Sequence, residues 1–205
     1  MRSRIRRCAT RAALFACVFA PDALLAQSLR GDLTVDNAFA AYLSTSAAAQ
    51  GSQIIAGTNW KATYSFAGVT LTPGVTYYLQ VRAVDVGVIA GFLGDFGLDG
   101  AFQFANGASF LTTNTRDWFA SATGFGVAPQ TPGMSGLNGA SPWGTRPNIE
   151  ASAEWIWTED GCINCTRYFW TSITPVVQIP EPVSHDLLGA GVVGLGLIGR
   201  RRRGA

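Results

Sequence analysis

Histidine is almost missing from this 205-residue chain, whose single copy is His185, close to the C-terminus. A Ser-His-Asp triad, a Cys-His pair or a His-ligated zinc is therefore excluded from residues 27–178. Charge is scarce as well, at 14% of residues. Of fifteen Lys and Arg, five lie in Met1–Arg11 and four in Arg200–Arg203. Residues 27–178 keep six bases against ten acids, a net of −4. Without a cationic face to meet phosphates, a nucleic-acid partner is not expected. Helical periodicity is also largely absent between the two ends.

Cysteine is the last scarce residue. Once Cys8 and Cys17 leave with an export signal, only Cys162-Ile163-Asn164-Cys165 remains. A structural zinc normally needs two such pairs, or histidines. In an oxidising compartment the default is a short-loop disulfide between Cys162 and Cys165, pinning the turn between Trp157 and Tyr168. A redox-active C-x-x-C is the rival, but no activating helix is evident.

The two ends carry addresses. Residues 1–26 combine an Arg-rich start, an apolar segment from Ala12 to Ala20 and a helix-breaking Pro21 before small residues, the three parts of an export signal. Cleavage is expected after Ala26; the rival is a lipoprotein site at Leu14-Phe15-Ala16-Cys17, where Phe15 is bulky. At the other end the apolar run Leu187–Gly199 would reach roughly 20 Å as a helix, short of a hydrocarbon core of about 30 Å. Extending it back to Val183 brings it near 25 Å. Arg200–Arg203 would hold that end in the cytoplasm, and Pro180 and Pro182 stop the helix from continuing outward.

Pro180-Glu181-Pro182, the Gly/Leu-rich apolar span and the cluster Arg200, Arg201, Arg202 and Arg203 together resemble a PEP-CTERM sorting signal. The resemblance covers Ile179–Ala205, within a tail taken as residues 176–205, and departs from the usual pattern at Ser184-His185-Asp186. It implies processing by an exosortase-type membrane protease, a transient inner-membrane anchor, and delivery to the cell surface or extracellular matrix, where such proteins accompany exopolysaccharide. Within the tail, Gly189–Gly194 fits G-x-G-x-x-G. No strand precedes it and no acid follows about 20 residues on, so a dinucleotide site is rejected.

Residues 27–175 read as one all-β domain. In Thr76–Val84, Tyr77, Leu79, Val81 and Ala83 alternate with polar neighbours behind a Pro73-Gly74 turn. Further strands are expected at Leu33–Leu43, Gln53–Ala56, Trp60–Phe66, Val88–Phe96, Ala101–Phe104, Arg116–Ser121, Ala153–Trp157 and Thr166–Ile173. Many short strands with turn signals indicate a β-sandwich or barrel. The stretch Gly124–Arg146, rich in Pro and Gly, is expected to be a surface loop. Val35–Phe39, Asn59-Trp60, Ala83–Phe92, Ala153–Trp157 and Arg167–Phe169 resemble, in that order, a galactose-binding-like module, which implies a jelly-roll-type β-sandwich. Some such modules bind sugars or calcium.

No cofactor is required by these residues. Structural calcium would draw on Asp36, Asp85, Asp95 and Asp99, although no D-x-D-x-D-G ladder is present. Paired carboxylates for a glycosidase could come from Glu150, Glu154, Glu159, Asp160, Asp95 or Asp99, yet scattered acids are more often solvated. The tryptophans are more suggestive, because an exposed indole is a platform for sugar C–H groups. Trp155 and Trp157 are expected inside. Trp143, in the Pro/Gly loop beside Arg146, is expected outside, with Trp118 beside Asp117 and Trp60 beside Asn59 intermediate. A sugar site is therefore placed first at Trp143, Arg146, Trp118 and Asp117. The expected function is non-catalytic binding or organisation of extracellular polysaccharide. The alternatives are a self-associating matrix protein and, behind it, a carbohydrate-active hydrolase.

Overall fold

The computed structural model describes residues 27–160 and 162–177. Twelve strands fill that span: β1 (Ser28–Asp36), β2 (Ala38–Ser44), β3 (Ser52–Gly57), β4 (Tyr64–Thr70), β5 (Tyr77–Val84), β6 (Gly91–Asp99), β7 (Phe102–Phe104), β8 (Phe110–Thr112), β9 (Phe119–Ser121), β10 (Gly133–Leu137), β11 (Glu154–Trp157) and β12 (Thr166–Pro175). The described residues contain no helix, and therefore none long and apolar enough to cross a membrane. The export signal at 1–26 and the tail residues Pro180, Glu181, Pro182 and Arg200–Arg203 lie outside the described residues.

The strands form two antiparallel sheets. The first runs β10-β11-β6-β1-β4, with β8 also on β6; the second runs β3-β2-β5-β12-β7, with β9 also on β12. They face each other over one apolar core, as a sandwich requires. β5 follows its alternation, with Leu79, Val81 and Ala83 inward. β1 contributes Leu29, Leu33 and Val35, and β6 contributes Phe92, Phe96 and Leu98. Gly31 is required beneath the Phe96 ring, with which any β-carbon there would collide.

Three departures from the sequence reading position the site. The expected strand Leu33–Leu43 is two strands, because the chain leaves the first sheet after Asp36 and enters the second at Ala38. Asn37 makes that corner: its N–H donates to the Val84 carbonyl at 2.8 Å and its Oδ1 accepts from the Val86 N–H at 2.6 Å. Trp60 precedes β4 in a turn, closed by the Lys61 N–H donating to Asn59 Oδ1 at 3.1 Å. Finally, Gly124–Arg146 is not loop throughout, since β10 pairs with β11 across a bulge between Met134 and Gly136. A ladder needs backbone groups only, so glycines hid this strand from a side-chain pattern.

Candidate functional site

Because Phe92 points into the core, its neighbour Leu93 faces the outer side of the first sheet. There the chain between β10 and β11 folds back over the sheet. Asn138 stitches this loop together. Its Nδ2 donates to the carbonyls of Arg146 at 3.1 Å and Ile149 at 2.8 Å, and its Oδ1 accepts from the Arg146 N–H at 2.7 Å. The loop lays Trp143 flat on Trp155, with ring centroids 4.5 Å apart and planes 17° from parallel. Gly91 lies beneath the stack, where a β-carbon would come within 2.7 Å of Trp155.

Trp143 joins two charges that do not touch. Its indole N–H donates to Asp36 Oδ2 at 2.9 Å, while its carbonyl accepts from the Arg146 guanidinium. Arg146 in turn sits over Trp60, 5.1 Å from the ring centroid, with Trp155 at 6.0 Å, within cation–π range. Burial pushes the Asp36 carboxyl above the usual aspartate range, and the charge of Asp85 adds to this. The Trp143 hydrogen bond and the Arg146 charge hold it back. Burial likewise lowers the Arg146 guanidinium, against the attraction of Asp36.

Trp60 is the half-buried member of this group, held where its carbonyl accepts from Thr34 Oγ1 at 3.0 Å. Beside it opens a cleft of about 290 Å³. Its lining is Trp60, Pro142, Gly87, Val88 and Ile89, with Asp36 and Asn37 as the polar residues. Val88 is 86% exposed and Ile89 46%, so that part of the lining stands free in solvent. Asp36 has given Oδ2 to Trp143, and Asn37 has given Oδ1 to Val86. Both residues belong to the cleft lining. A larger groove of about 800 Å³ lies along β3, between Leu43, Gln53, Ile54, Val69 and Tyr77. It is lined by hydroxyls, amides and aliphatics, with no charged residue.

The sugar-site expectation needs correction. Trp143 and Arg146 are together, but turned inward, at 5% and 8% exposure. The loop covers a sheet face, which its Pro and Gly content could not disclose. Trp118 is in the main core, edge-on to Phe92 at 5.2 Å, with its N–H on the Thr112 carbonyl at 3.2 Å. It lies on the inner side of β6, against Phe92, whereas the Trp143 cluster lies on the outer side, with Leu93. Asp117 is half-buried beside it, its carbonyl accepting from Thr171 Oγ1 at 2.8 Å. Trp155 and Trp157 are both buried as expected, the first in this outer cluster and the second in the main core. Trp60, read as intermediate and left out of the expected sugar site, is the indole bordering a cleft. The Asn59-Trp60-Lys61 turn is the signal that could have raised it.

The four aspartates expected to share a metal are dispersed. Asp36 and Asp85 are neighbours, whereas Asp95 accepts from the Glu150 N–H at 2.8 Å on the outer face of the first sheet. Asp99 pairs with Arg30 at 2.7 Å on the surface. No three His, Cys, Asp or Glu side chains converge as a metal site among the described residues. Of the acids considered for a hydrolase, Glu154 accepts from the Thr115 N–H at 3.0 Å and Asp160 pairs with Arg167. Cys162 and Cys165 stand at disulfide distance, their Cα atoms 6.1 Å apart. Their turn grips Asp85: Asn164 N–H donates to its Oδ2 at 2.9 Å, and its own N–H donates to the Cys165 carbonyl at 2.8 Å.

Against protein-family models, curated proteins and solved structures, the chain gives no match.

Proposed function

We propose that this is an exported cell-surface or extracellular-matrix protein whose sandwich binds and organises polysaccharide without catalysis. The cleft at Trp60 carries the reading. Its lining brings an indole and aliphatic side chains together with two adjacent polar residues, Asp36 and Asn37, a combination that suits the apolar face and hydroxyls of a sugar ring. Asp36 is the only carboxylate in its lining, which supports binding over the paired-acid chemistry of a hydrolase. The two facing sheets support the jelly-roll-type, galactose-binding-like assignment. The Pro180-Glu181-Pro182 tail with Arg200–Arg203 supports a transient inner-membrane anchor and processing by an exosortase-type protease.

The test is saturable binding of the purified chain to a panel of neutral and acidic polysaccharides. Trp60→Ala should weaken that binding at least about tenfold, whereas Gln53→Ala, in the larger groove, should leave it unchanged. Loss in Gln53→Ala alone would move the site to the groove, and no binding to any glycan would defeat the reading.

One observation favours the self-associating alternative. The four sheet-edge strands β3, β4, β7 and β10 contain no charged residue, and charge is a common guard of an open edge. Bulges interrupt the pairing of β3, β4 and β10, which is another guard, so glycan binding stands first. Reversible association in sedimentation experiments at rising concentration, with no glycan binding, would reverse that order.

A further inference from the structure

Asp85 is 1% exposed, yet its carboxylate receives a single hydrogen bond. Oδ2 accepts from the Asn164 N–H at 2.9 Å, while Oδ1 has no partner. The ion pairs among the described residues, Arg30–Asp99 and Arg167–Asp160, do not involve it, and the charge of Asp36 repels it. A buried carboxylate that loses its last donor bears the full cost of desolvation. The hold on Asp85 therefore rests on one backbone N–H in an exposed turn.

That turn is the loop closed by Cys162 and Cys165. Asn164 within it has a φ of 55°, in the left-handed region, which a residue with a side chain keeps only under constraint. The cross-link and the Asp85 bond supply that constraint. For the sandwich as a whole the cross-link does little, because the entropy a disulfide removes from the unfolded chain grows with the loop it closes, and here the sequence separation is 3. Both cysteines are half-buried and Ile163 between them is 58% exposed, so an outside thiol can reach the turn.

Asp85 leads directly into the segment Val86–Ala90, which lines the Trp60 cleft through Gly87, Val88 and Ile89. Ala90 packs on the core and the Val86 N–H donates to Asn37 Oδ1 at 2.6 Å. Between them Val88 stands in solvent, and a β-carbon on Gly87 would meet nothing closer than 3.8 Å. A segment with so few contacts is easily released.

We propose that the Cys162–Cys165 disulfide is a redox lock on the Val86–Ala90 loop, opened by an external dithiol. A thiolate of the dithiol attacks one cysteine sulfur and the S–S bond breaks, giving a mixed disulfide. The second thiol of the reductant then closes its own disulfide, so two electrons and two protons pass to the protein and leave Cys162 and Cys165 as thiols. With the turn open, Asn164 relaxes and withdraws its N–H. Asp85 turns out to water, where its charge is hydrated, and draws Val86 off Asn37. The lock goes beyond glycan binding and is read on the loop itself, so the two readings fail separately.

The test is amide hydrogen exchange across Val86–Ala90 in the purified full-length protein, oxidised and after dithiothreitol, with thermal unfolding of both states. Reduction should leave the sandwich folded, with a small drop in melting temperature, while the loop exchanges at least about tenfold faster. Cys162→Ser with Cys165→Ser should exchange at the reduced rate with or without dithiothreitol, which sets aside any reduction at Cys8 or Cys17. In Asp85→Asn no charge is stranded, so reduction should accelerate the loop far less. Should that variant not fold, Asn164→Pro decides, because it deletes the N–H while keeping both cysteines and should free the loop in the oxidised protein. Equal exchange in oxidised and reduced wild type overturns the proposal. So does undiminished acceleration in folded Asp85→Asn, a loop still protected in Asn164→Pro, or unfolding of the whole sandwich on reduction.

Discussion

The two outer faces of the sandwich meet the same demand by different means. Each sheet has apolar side chains on its outer side that must be covered. On the second sheet the buried cover is uncharged: Tyr42, Phe125 and Trp170 form a cluster with Tyr78 and Tyr168 against it, and Gln80 is buried under the loop after β2, whose Ser46 and Ala49 carbonyls accept from its amide. Phe125 meets Tyr168 edge-on at 5.1 Å, and Phe119 stacks on Trp170 at 5.7 Å. On the first sheet the covering loop also buries Arg146, against Asp36 at the end of β1, with Trp143 between them. An uncharged lid was sufficient on one side, so the buried charges are not a requirement of covering a sheet. Such departures from the cheaper solution concentrate at functional sites, which is why the first sheet's outer face and its cleft are the place to probe.

The largest expected effect tests what the faces share. Trp155→Ala on the first sheet and Trp170→Ala on the second should each cost about 3 to 5 kcal/mol in denaturant unfolding, as deletion of a buried large aromatic does. A much smaller loss for Trp155→Ala would mean that the Trp143 stack collapses readily into the space. The next effect separates the faces. Trp143→Phe keeps a ring on Trp155 but leaves Asp36 Oδ2 without its donor, so about 1 to 3 kcal/mol should be lost at neutral pH. That loss should shrink in acid, where Asp36 is protonated and the bond is to a neutral carboxyl. A loss independent of pH would remove Asp36 from the explanation.

Asp36→Asn tests the buried charge itself. The folded carboxyl titrates above the ordinary value of 3.8, so the folded state holds its proton more tightly than the unfolded chain. Stability attributable to Asp36 is therefore greatest in acid. It falls as pH rises through the unfolded value, and levels off above the folded one. Relative to Asp36→Asn, the wild type should weaken across that window, as measured by unfolding at a series of pH values. The opposite slope would show that attraction to Arg146 outweighs burial.

Local patterns made part of this legible in the sequence. The alternation in Tyr77–Ala83 placed β5, and the Cys162–Cys165 spacing placed a tight turn, because each signal is complete within a few residues. The corner at Asn37 was not legible: beyond Asp36-Asn37 apolar residues continue on either side, at Val35 and at Ala38-Phe39, and only the strand partners show that the chain changes sheets there. Trp143 was misjudged because Pro and Gly report backbone irregularity, not which surface the loop covers. That choice depends on Asn138 and on the Trp155 ring, which are brought together by pairing of β10 with β11. Trp118 failed for a related reason. Its neighbour Asp117 suggested surface, whereas the indole turns under Phe92 just before β9 begins.

The smallest expected effect comes from a pair that matches Arg146 and Asp36 in charge but lies in solvent. Arg30 and Asp99 meet at 2.7 Å with both side chains about half exposed. The hydrogen bond from Arg30, followed by that from Ser28, holds Asp99 below the usual aspartate range. Its contribution is therefore present above the unfolded value and is lost as pH falls through the folded one, the reverse of Asp36. Water and salt screen such a pair, and the side chains must be ordered to make it. Arg30→Ala should accordingly shift the unfolding midpoint only slightly at neutral pH, and not at all in strong acid or in molar salt. A shift that survived molar salt would mean that contact of the Arg30 guanidinium with Gly97, where a β-carbon would come within 2.8 Å of it, holds this end of β1 by packing rather than by charge.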